Sequence, residues 1–418
     1  MTTSEHYDDL ETRDPGERER DLLARLAKQV AHASAHAPGF ARILKDVDPR
    51  EVGSRAALAR LLVTRKSDLK ELQAEAPPLG GLNATPIGKL AKLFVSPGPI
   101  CEPEGHGRDW WRTGRALYAA GFRSGDLVTN TFAYHFTPAG SMMESAALAC
   151  GCTVLPAGVG QTELQVATIA SLRVNGYIGT PSFLKLIVEK ADELKADIAC
   201  LKKALVGAEY LPPALRNALG ERSLSVLQCY ATADLGLLAY ESRGPDGKVC
   251  EGMIVDEGIL LEIVRPGTGD PVPEGEVGEV VVTTFNADYP LIRFATGDLS
   301  AVLPGASPCG RTNLRIRGWM GRADQTTKVK GMFVHPSQVA EVVRRHPEIR
   351  RARLVVDQAE GQDRMTLHCE VEAAPAGFAD AVVATLRELM KLRGDVRLRK
   401  PGELPNDGKV IEDARKYD

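Results

Sequence analysis

Apolar positions along the chain change their spacing three times, and each change predicts a different kind of structure. Over residues 17–44 they recur at Leu22, Leu23, Leu26 and Val30, a helical interval that Pro38 and Gly39 interrupt. Short helices are expected to continue at 56–62 and 66–72, and the Pro- and Gly-rich segment 77–88 reads as a loop crossing to a first strand at 90–95. From Gly125 the pattern alternates. Strands are expected at 126–131, 153–156, 176–178, 202–206 and 225–229, with helices at 141–149, 163–172 and 181–194, which predicts a parallel sheet. Past Gly244 the spacing shortens to that of antiparallel strands, at 258–264, 277–284, 291–294 and 314–318. A charged turn at 321–324 then leads to a tail of strand 332–334, helix 336–345, strands 352–357 and 365–371, helix 379–392 and strand 396–398. The expected fold class is α/β. A large N-terminal domain over 1–321, with a helical lead-in over 1–89, carries parallel-rich sheets and a β subdomain, and a small mobile α+β domain occupies 322–418.

Composition narrows this picture in a few respects. At 418 residues the chain is too long for one core. Its 40 glycines and 26 prolines fall between periodic runs, as in an α/β protein with many functional turns. A net charge of -3 with interspersed signs offers no attraction for nucleic acid or an anionic membrane, and no apolar run approaches a membrane span. The eight cysteines include no CxxC pair, and residues 1–14 are polar and acidic, so a cytoplasmic location with free thiols is expected.

Candidate chemistry gathers at the predicted strand ends, where parallel sheets bind ligands. Residues 289–298, Tyr-Pro-Leu-Ile-Arg-Phe-Ala-Thr-Gly-Asp, read as an apolar strand with a tight turn at Gly297 that leaves the Asp298 carboxylate facing outward. Alone, that is either a strand closed by an acidic turn or an acceptor for a vicinal diol such as ribose. Residues 96–105 stand after a strand and before a helix expected at 108–120, the position of phosphate loops. Pro97 and Pro99 lack donors, no lysine is present, and Glu102 and Glu104 repel phosphate, so a plain connecting loop is expected there. Tyr134, His135 and Phe136 form an aromatic loop, with His135 either a base or a pocket wall. Gly207, Ala208 and Glu209 follow one strand, and Tyr230, Ala231, Thr232 and Asp234 follow the next, where small residues let a flat ring approach the backbone. Glu209 and Asp234 are candidates for Mg2+ or an amine, and Asp234 equally for the cap of a helix-like apolar run. Lys409, in the turn 404–409, reads by itself as a solvated lysine.

These stretches occur in order with Gly158-Val159-Gly160-Gln161-Thr162-Glu163, Thr180-Pro181-Ser182, Cys309-Gly310-Arg311-Thr312, Gly321-Arg322 and Pro336-Ser337-Gln338. The series resembles the phenylacetate-CoA ligase family of the AMP-forming adenylating enzymes, over about 12–409. The resemblance implies attack of a carboxylate on the α-phosphate of ATP, giving acyl-AMP and pyrophosphate, then displacement of AMP by the thiol of CoA or of a carrier protein. By it, Asp298 binds the ribose, Gly207, Ala208 and Glu209 flank adenine, and Tyr230 stacks beside Ala231 and Thr232. Arg322 and Asp324 lie at a hinge, and Arg322 also borders the nucleotide. Lys409 neutralises charge at the α-phosphate, Asp234 is the Mg2+ carboxylate, and Tyr134, His135 and Phe136 line a pocket for an aromatic or small organic acid.

The chain also departs from the family. Residues 96–104 lack its Ser/Thr/Gly-rich, lysine-bearing phosphate loop, and Ala233-Asp234 replaces Thr or Ser followed by Glu. Cys250 and Cys309 survive from a zinc site found in some relatives, with Ile254 and Ser307 in the other places, so structural zinc is not expected. Two functions stand open: an acyl- or aryl-CoA ligase, or a diverged relative that binds a carboxylate, AMP or acyl-AMP with little ATP-dependent activity. A homodimer is compatible with either.

Overall fold

The computed structural model describes residues 5–97, 99–323, 325, 327–329, 332–359 and 362–415. The lead-in opens on the helix Pro15–His36, where the Asp14 side chain accepts a hydrogen bond from Glu17 N and Pro15 occupies the first turn. Its buried positions include Leu22, Leu26, Val30 and Ala33, the interval read from the sequence. Short helices Arg55–Ala59 and Leu69–Glu75 follow, separated by strand β1 (Thr64–Arg65).

The first departure comes next. Strand β2 (Lys92–Ser96) begins two residues later than expected, and the supposed connecting loop is itself strand β3 (Ile100–Glu104), paired antiparallel to β2 from Ser96↔Ile100 to Lys92↔Glu104. The prolines misled because they were counted as lost donors. Pro97 and Pro99 are themselves turn residues, and Pro103 sits in a two-stranded ribbon where every strand is an edge. Period-two alternation then puts Glu102 and Glu104 on one face, which is buried. The helix expected at 108–120 is also shorter, Gly114–Ala119, because Asp109 and Arg112 adopt positive φ and the Asp109 carboxylate accepts from Gly114 N at 2.9 Å.

Strands β4 (Leu127–Asn130), β5 (Thr153–Pro156), β6 (Gly176–Gly179), β7 (Lys203–Val206) and β8 (Ser225–Thr232) alternate with the helices Ala139–Ala149, Thr162–Leu172, Pro181–Leu194 and Pro213–Glu221. The apolar run after Asp234, expected to be helix-like, is strand β9 (Gly236–Tyr240), buried at all five positions. So short an apolar run does not distinguish helix from strand by its pattern, and pairing on both sides, with β8 and with β10 (Met253–Val255), decides it. Then come β11 (Ile259–Val264), β12 (Gly278–Thr284), β13 (Phe294–Ser300), β14 (Val302–Leu303) and β15 (Arg315–Ile316). The nine-stranded sheet runs β14-β15-β10-β9-β8-β7-β6-β4-β5, parallel from β8 to β5. Successive residues on β6, β7 and β8 enter two different cores: Ile178, Leu205 and Leu227 join one, and Tyr177, Ala204, Val206 and Val226 the other. Burial on both faces is what a parallel sheet requires.

The second departure concerns 289–298. Leu291 and Ile292 are buried but irregular, and the strand starts only at Phe294, so Asp298 lies inside β13 and not at a turn beyond it. Gly297, at φ +75°, kinks the strand without ending it, and Asp298 is 8% exposed instead of facing outward.

By its contacts the chain divides into two units, one of Met1–Leu261, Val282–Phe294 and Leu303–Trp319, the other of Glu262–Val281, Ala295–Val302 and Met320–Asp418. In the second, β16 (Thr327–Val329) pairs with β17 (Met332–Val334). A sheet of β18 (Ile349–Ala359), β19 (Gln362–Val371), β20 (Asp395–Arg399) and β21 (Ile411–Asp413) has the order β20-β19-β18-β21. The helices Pro336–Arg345 and Phe378–Met390 contribute Val339, Val342, Val382 and Leu386 to its core.

Candidate active site

In the first unit the carboxyl ends of the parallel strands bring three predicted segments together. Beyond β7, Ala208 takes φ +65°, and the Glu209 carboxylate accepts from Ser182 N at 3.2 Å, at the start of the helix Pro181–Leu194. Gln228 on β8 donates from Nε2 to the Glu209 carbonyl at 2.8 Å, tying the 207–209 tip to the strand that carries Tyr230. Tyr230 is 8% exposed, Ala231 and Thr232 less buried, and the Thr232 hydroxyl accepts from Leu235 N at 3.1 Å, which commits it to the β8–β9 turn. Gly207, Ala208, Glu209, Tyr230, Ala231 and Thr232 thus occupy one rim.

Asp234, on the same rim, does not stand alone. Its Oδ2 accepts from Lys66 Nζ at 2.5 Å, its side chain is 1% exposed against 28% for Lys66, and its Oδ1 is buried without a hydrogen-bond partner. The 92–104 hairpin contributes Glu102, fully buried, which accepts hydrogen bonds from the Ser96 hydroxyl and from Ser96 N. Burial pushes the Glu102 carboxyl up to about 7, with the Asp234 charge adding to the rise and Lys66 opposing it. Tyr289 is fully buried, its hydroxyl has no partner, and burial together with the charges of Asp234, Glu102 and Cys101 drives its pKa well above the usual range. The second glutamate of the hairpin is satisfied differently: Glu104 accepts from Lys92 Nζ at 2.9 Å, Ser141 Oγ at 2.7 Å and Trp111 Nε1 at 2.8 Å.

The aromatic loop is mixed in character. Tyr134 is half-buried and its hydroxyl accepts from Asn130 Nδ2 at 2.8 Å, while His135 and Phe136 are exposed, Phe136 with φ +61°. Gly140 keeps the helix Ala139–Ala149 against this loop, since a Cβ there would lie 2.6 Å from the Ala133 carbonyl.

In the second unit Arg322 Nη1 donates to Asp298 Oδ1 at 2.7 Å, and Ala323 N donates to the Gly297 carbonyl at 2.7 Å, so 321–323 lies along β13. Asp324 falls outside the described residues. Lys409 is exposed and precedes β21. The segment carrying it is held by Gln325, which donates to the Gly408 carbonyl at 2.9 Å and accepts from Val410 N and Ile411 N. Lys409 also borders a small groove of about 60 Å³ lined by Val277, Val339, Val343 and Arg351 among others.

Sequence reasoning missed Lys66 and Arg293. Lys66 is 168 residues from Asp234, a separation at which no local pattern signals a partner. Arg293 lies within the apolar run 291–294, to which the sequence assigns no chemistry. It is 1% exposed, at φ +44°, and its Nη1 donates to the carbonyls of Ala59 and Leu61 at 2.7 Å each.

For a divalent metal, the described residues offer no cluster of three or more His, Cys, Asp or Glu side chains. Mg2+ at nucleotide sites is commonly held by one or two carboxylates together with substrate phosphates, and the orphaned Asp234 Oδ1 fits as one such oxygen. Cys309 lies within hydrogen-bonding distance of Ser242 and Ser307, at 3.2 and 3.0 Å; burial works to raise its pKa, but bonds with these serines and Arg311 outweigh that and hold the thiol below its usual range. Among the described residues no helix is long and apolar enough to cross a membrane.

Comparison with known proteins sets this geometry in context. The model of AMP-binding enzymes matches residues 108–286. A phenylacetate-coenzyme A ligase of Thermus thermophilus is 31% identical over 392 residues, covering 88% of this chain and 86% of the relative. The chain belongs to the phenylacetate-coenzyme A ligase family. Ligases of the same name from Aromatoleum evansii and Escherichia coli are 30% and 28% identical, over 84% and 82% of this chain and 80% of each relative. Among solved structures, an open conformation of 2-hydroxyisobutyryl-CoA ligase in complex with 2-HIB-AMP and CoA matches with a TM-score of 0.72 at 24% identity, over 97% of this chain and 93% of that one, and so shares its fold. Within the phenylacetate-coenzyme A ligase family, then, this member carries a closed hairpin at 92–104 and a lysine–aspartate pair beside it.

Proposed function

We propose that the protein is an AMP-forming ligase that activates an aromatic or small organic carboxylate as its acyl-adenylate and transfers the acyl group to CoA. The observation that carries this is kinship with phenylacetate-coenzyme A ligases over 88% of the chain, from the N-terminal lead-in through the tail. The arrangement of side chains supports it. Asp298, held by Arg322, presents a carboxylate suited to the ribose hydroxyls. The rim at 207–209 and 230–232 offers small residues and a buried tyrosine for the adenine, and Tyr134, His135 and Phe136 offer aromatic surface for an aryl acid. Lys409, exposed and ahead of β21, serves as the positive charge at the α-phosphate when the carboxylate attacks. Asp234 would hold Mg2+ through Oδ1, and the ion would supply further neutralisation of phosphate charge. A homodimer, a carrier-protein acceptor and a division of labour between 1–321 and a mobile 322–418 belong to the same proposal.

Carboxylate-dependent exchange of labelled pyrophosphate into ATP, run over a panel of aryl and small aliphatic acids and followed by assay for the CoA thioester, tests the reading. Exchange with at least one acid, lost in Lys409→Ala, is expected. No exchange with any acid overturns it. One observation favours a second reading, a relative that binds AMP or acyl-AMP but turns over ATP poorly: at the strand-to-helix position that phosphate loops occupy, the hairpin seals two carboxylates into its buried face. Comparable affinities for ATP and AMP, with no exchange, would establish that alternative.

A further inference from the structure

Of the ten buried side-chain atoms of the first unit that lack a hydrogen-bond partner among the described residues, two, Asp234 Oδ1 and the Tyr289 hydroxyl, border the same group of charges. Buried orphans of this kind are few in folded proteins and call for a physical reason. Lys66 supplies part of one. It donates to Asp234 Oδ2 at 2.5 Å, yet its side chain remains 28% exposed, and an ammonium has three donors. The cation is therefore anchored by a carboxylate that is 1% exposed, on a side chain that is 28% exposed. The hairpin has no positive charge between 96 and 104, where it carries Glu102 and Glu104, and the proton affinity of Glu102 responds to both Asp234 and Lys66. Lys66 is thus a cation tied directly to Asp234 on the rim.

We propose that Lys66 is the polyphosphate-binding residue of this protein: positioned by Asp234, its ammonium contacts the β- and γ-phosphate oxygens of ATP, supplying the charge that the 92–104 hairpin lacks. The inference rests on the ligase reading in that it requires a nucleoside triphosphate at this rim. No covalent step is assigned to Lys66. It holds the leaving pyrophosphate, and Asp234 keeps the side chain from collapsing onto solvent or onto Glu102. A charge-assisted hydrogen bond to the β- and γ-phosphate oxygens gives selectivity for the triphosphate over the monophosphate, because AMP lacks both groups.

Calorimetric titration with ATP, AMP and inorganic pyrophosphate separates this from a structural ion pair. Lys66→Met is expected to weaken ATP and pyrophosphate about 10- to 100-fold while AMP stays within about twofold, the range for loss of a hydrogen bond to a charged group. Because that variant strands the buried Asp234 carboxylate, the double variant Lys66→Met/Asp234→Asn is measured beside it, together with Asp234→Asn alone, all without Mg2+ so that loss of a metal-binding carboxylate does not enter the comparison. Asp234→Asn alone is expected to weaken ATP less than the double variant does. Recovery of its melting temperature towards wild type with ATP still weak supports the proposal. ATP and AMP falling together in the single variant and returning together in the double one overturns it, as does unchanged ATP affinity in both, or a wild-type protein that binds neither ATP nor pyrophosphate. The titrations need no carboxylic acid. A wild type that binds ATP but catalyses no exchange therefore sinks the ligase reading while the Lys66 result stays readable.

Discussion

Glu102 shows at the scale of one residue how burial sets a pH response. Its carboxyl titrates near 7 in the folded chain against an ordinary 4.5, so the fold binds this proton more tightly than the unfolded chain does. The ionised form is the unfavourable one. Its contribution to stability is therefore favourable below pH 4.5 in comparison with neutral pH, declines as pH rises towards 7, and is constant beyond. Glu102→Gln, uncharged throughout, is expected to be more stable than wild type by about 1–3 kcal/mol at pH 8 and by little at pH 5 in denaturant titrations. An offset equal at both values would show that the proton is not held. Arg293 makes the complementary case, a buried charge whose Nη1 bridges two backbone carbonyls of the lead-in. Arg293→Met is expected to cost about 2–4 kcal/mol, because the carbonyls of Ala59 and Leu61 lose a charged donor, whereas Arg50→Met at the exposed Asp48 pair changes nothing measurable. The sequence could name Glu102 as a carboxylate in a loop, and it left Arg293 without a role. It could not show that either is buried, since what buries them comes from chain segments far away in sequence.

At the scale of elements, the parallel strands and the helices between them were legible because their periods are long and uninterrupted: the helix Pro181–Leu194 and the strand Thr153–Pro156 lie where the pattern puts them. Three elements were misread, each for a reason of its own. β3 is rich in Pro and Glu, β9 is too short and uniformly apolar to declare its period, and β13 continues through a glycine that looked like its end. Gly297 is the most informative of these. A Cβ there would stand 2.8 Å from Arg322 Nη2, and φ +75° disfavours any L side chain. Gly297→Ala should lower stability by about 1–3 kcal/mol and weaken AMP binding with it, since the substitution displaces the arginine that holds Asp298. Thermal melting and AMP titration on the same preparation check both. Loss of stability with AMP affinity intact would remove the Asp298–Arg322 pair from the nucleotide site.

The whole molecule is asked to perform two chemically unlike steps, and Lys409 is the residue that should tell them apart. Lys409→Ala is expected to reduce pyrophosphate exchange by about 100-fold or more, the scale for removing a group that stabilises transition-state charge, while a synthetic acyl-adenylate is still converted to the CoA thioester at close to the wild-type rate. Equal losses in the two assays would mean that the lysine serves both steps or neither. Of the candidate site, the residue identities and their order along the chain could be read from the sequence, while the ion pair joining Lys66 to Asp234 could not.

The 92–104 hairpin, finally, bears on engineering. Its ladder of five residue pairs, from Ser96↔Ile100 to Lys92↔Glu104, occupies the inward backbone groups of both strands. Glu102 is bound to Ser96, and Glu104 to Lys92, Ser141 and Trp111, so exchanging either glutamate for a lysine alone would set two cations together or strand donors in the interior. Positive charge introduced into the paired part of this ribbon therefore calls for replacing Glu102 or Glu104 together with the groups that bind it, as a block.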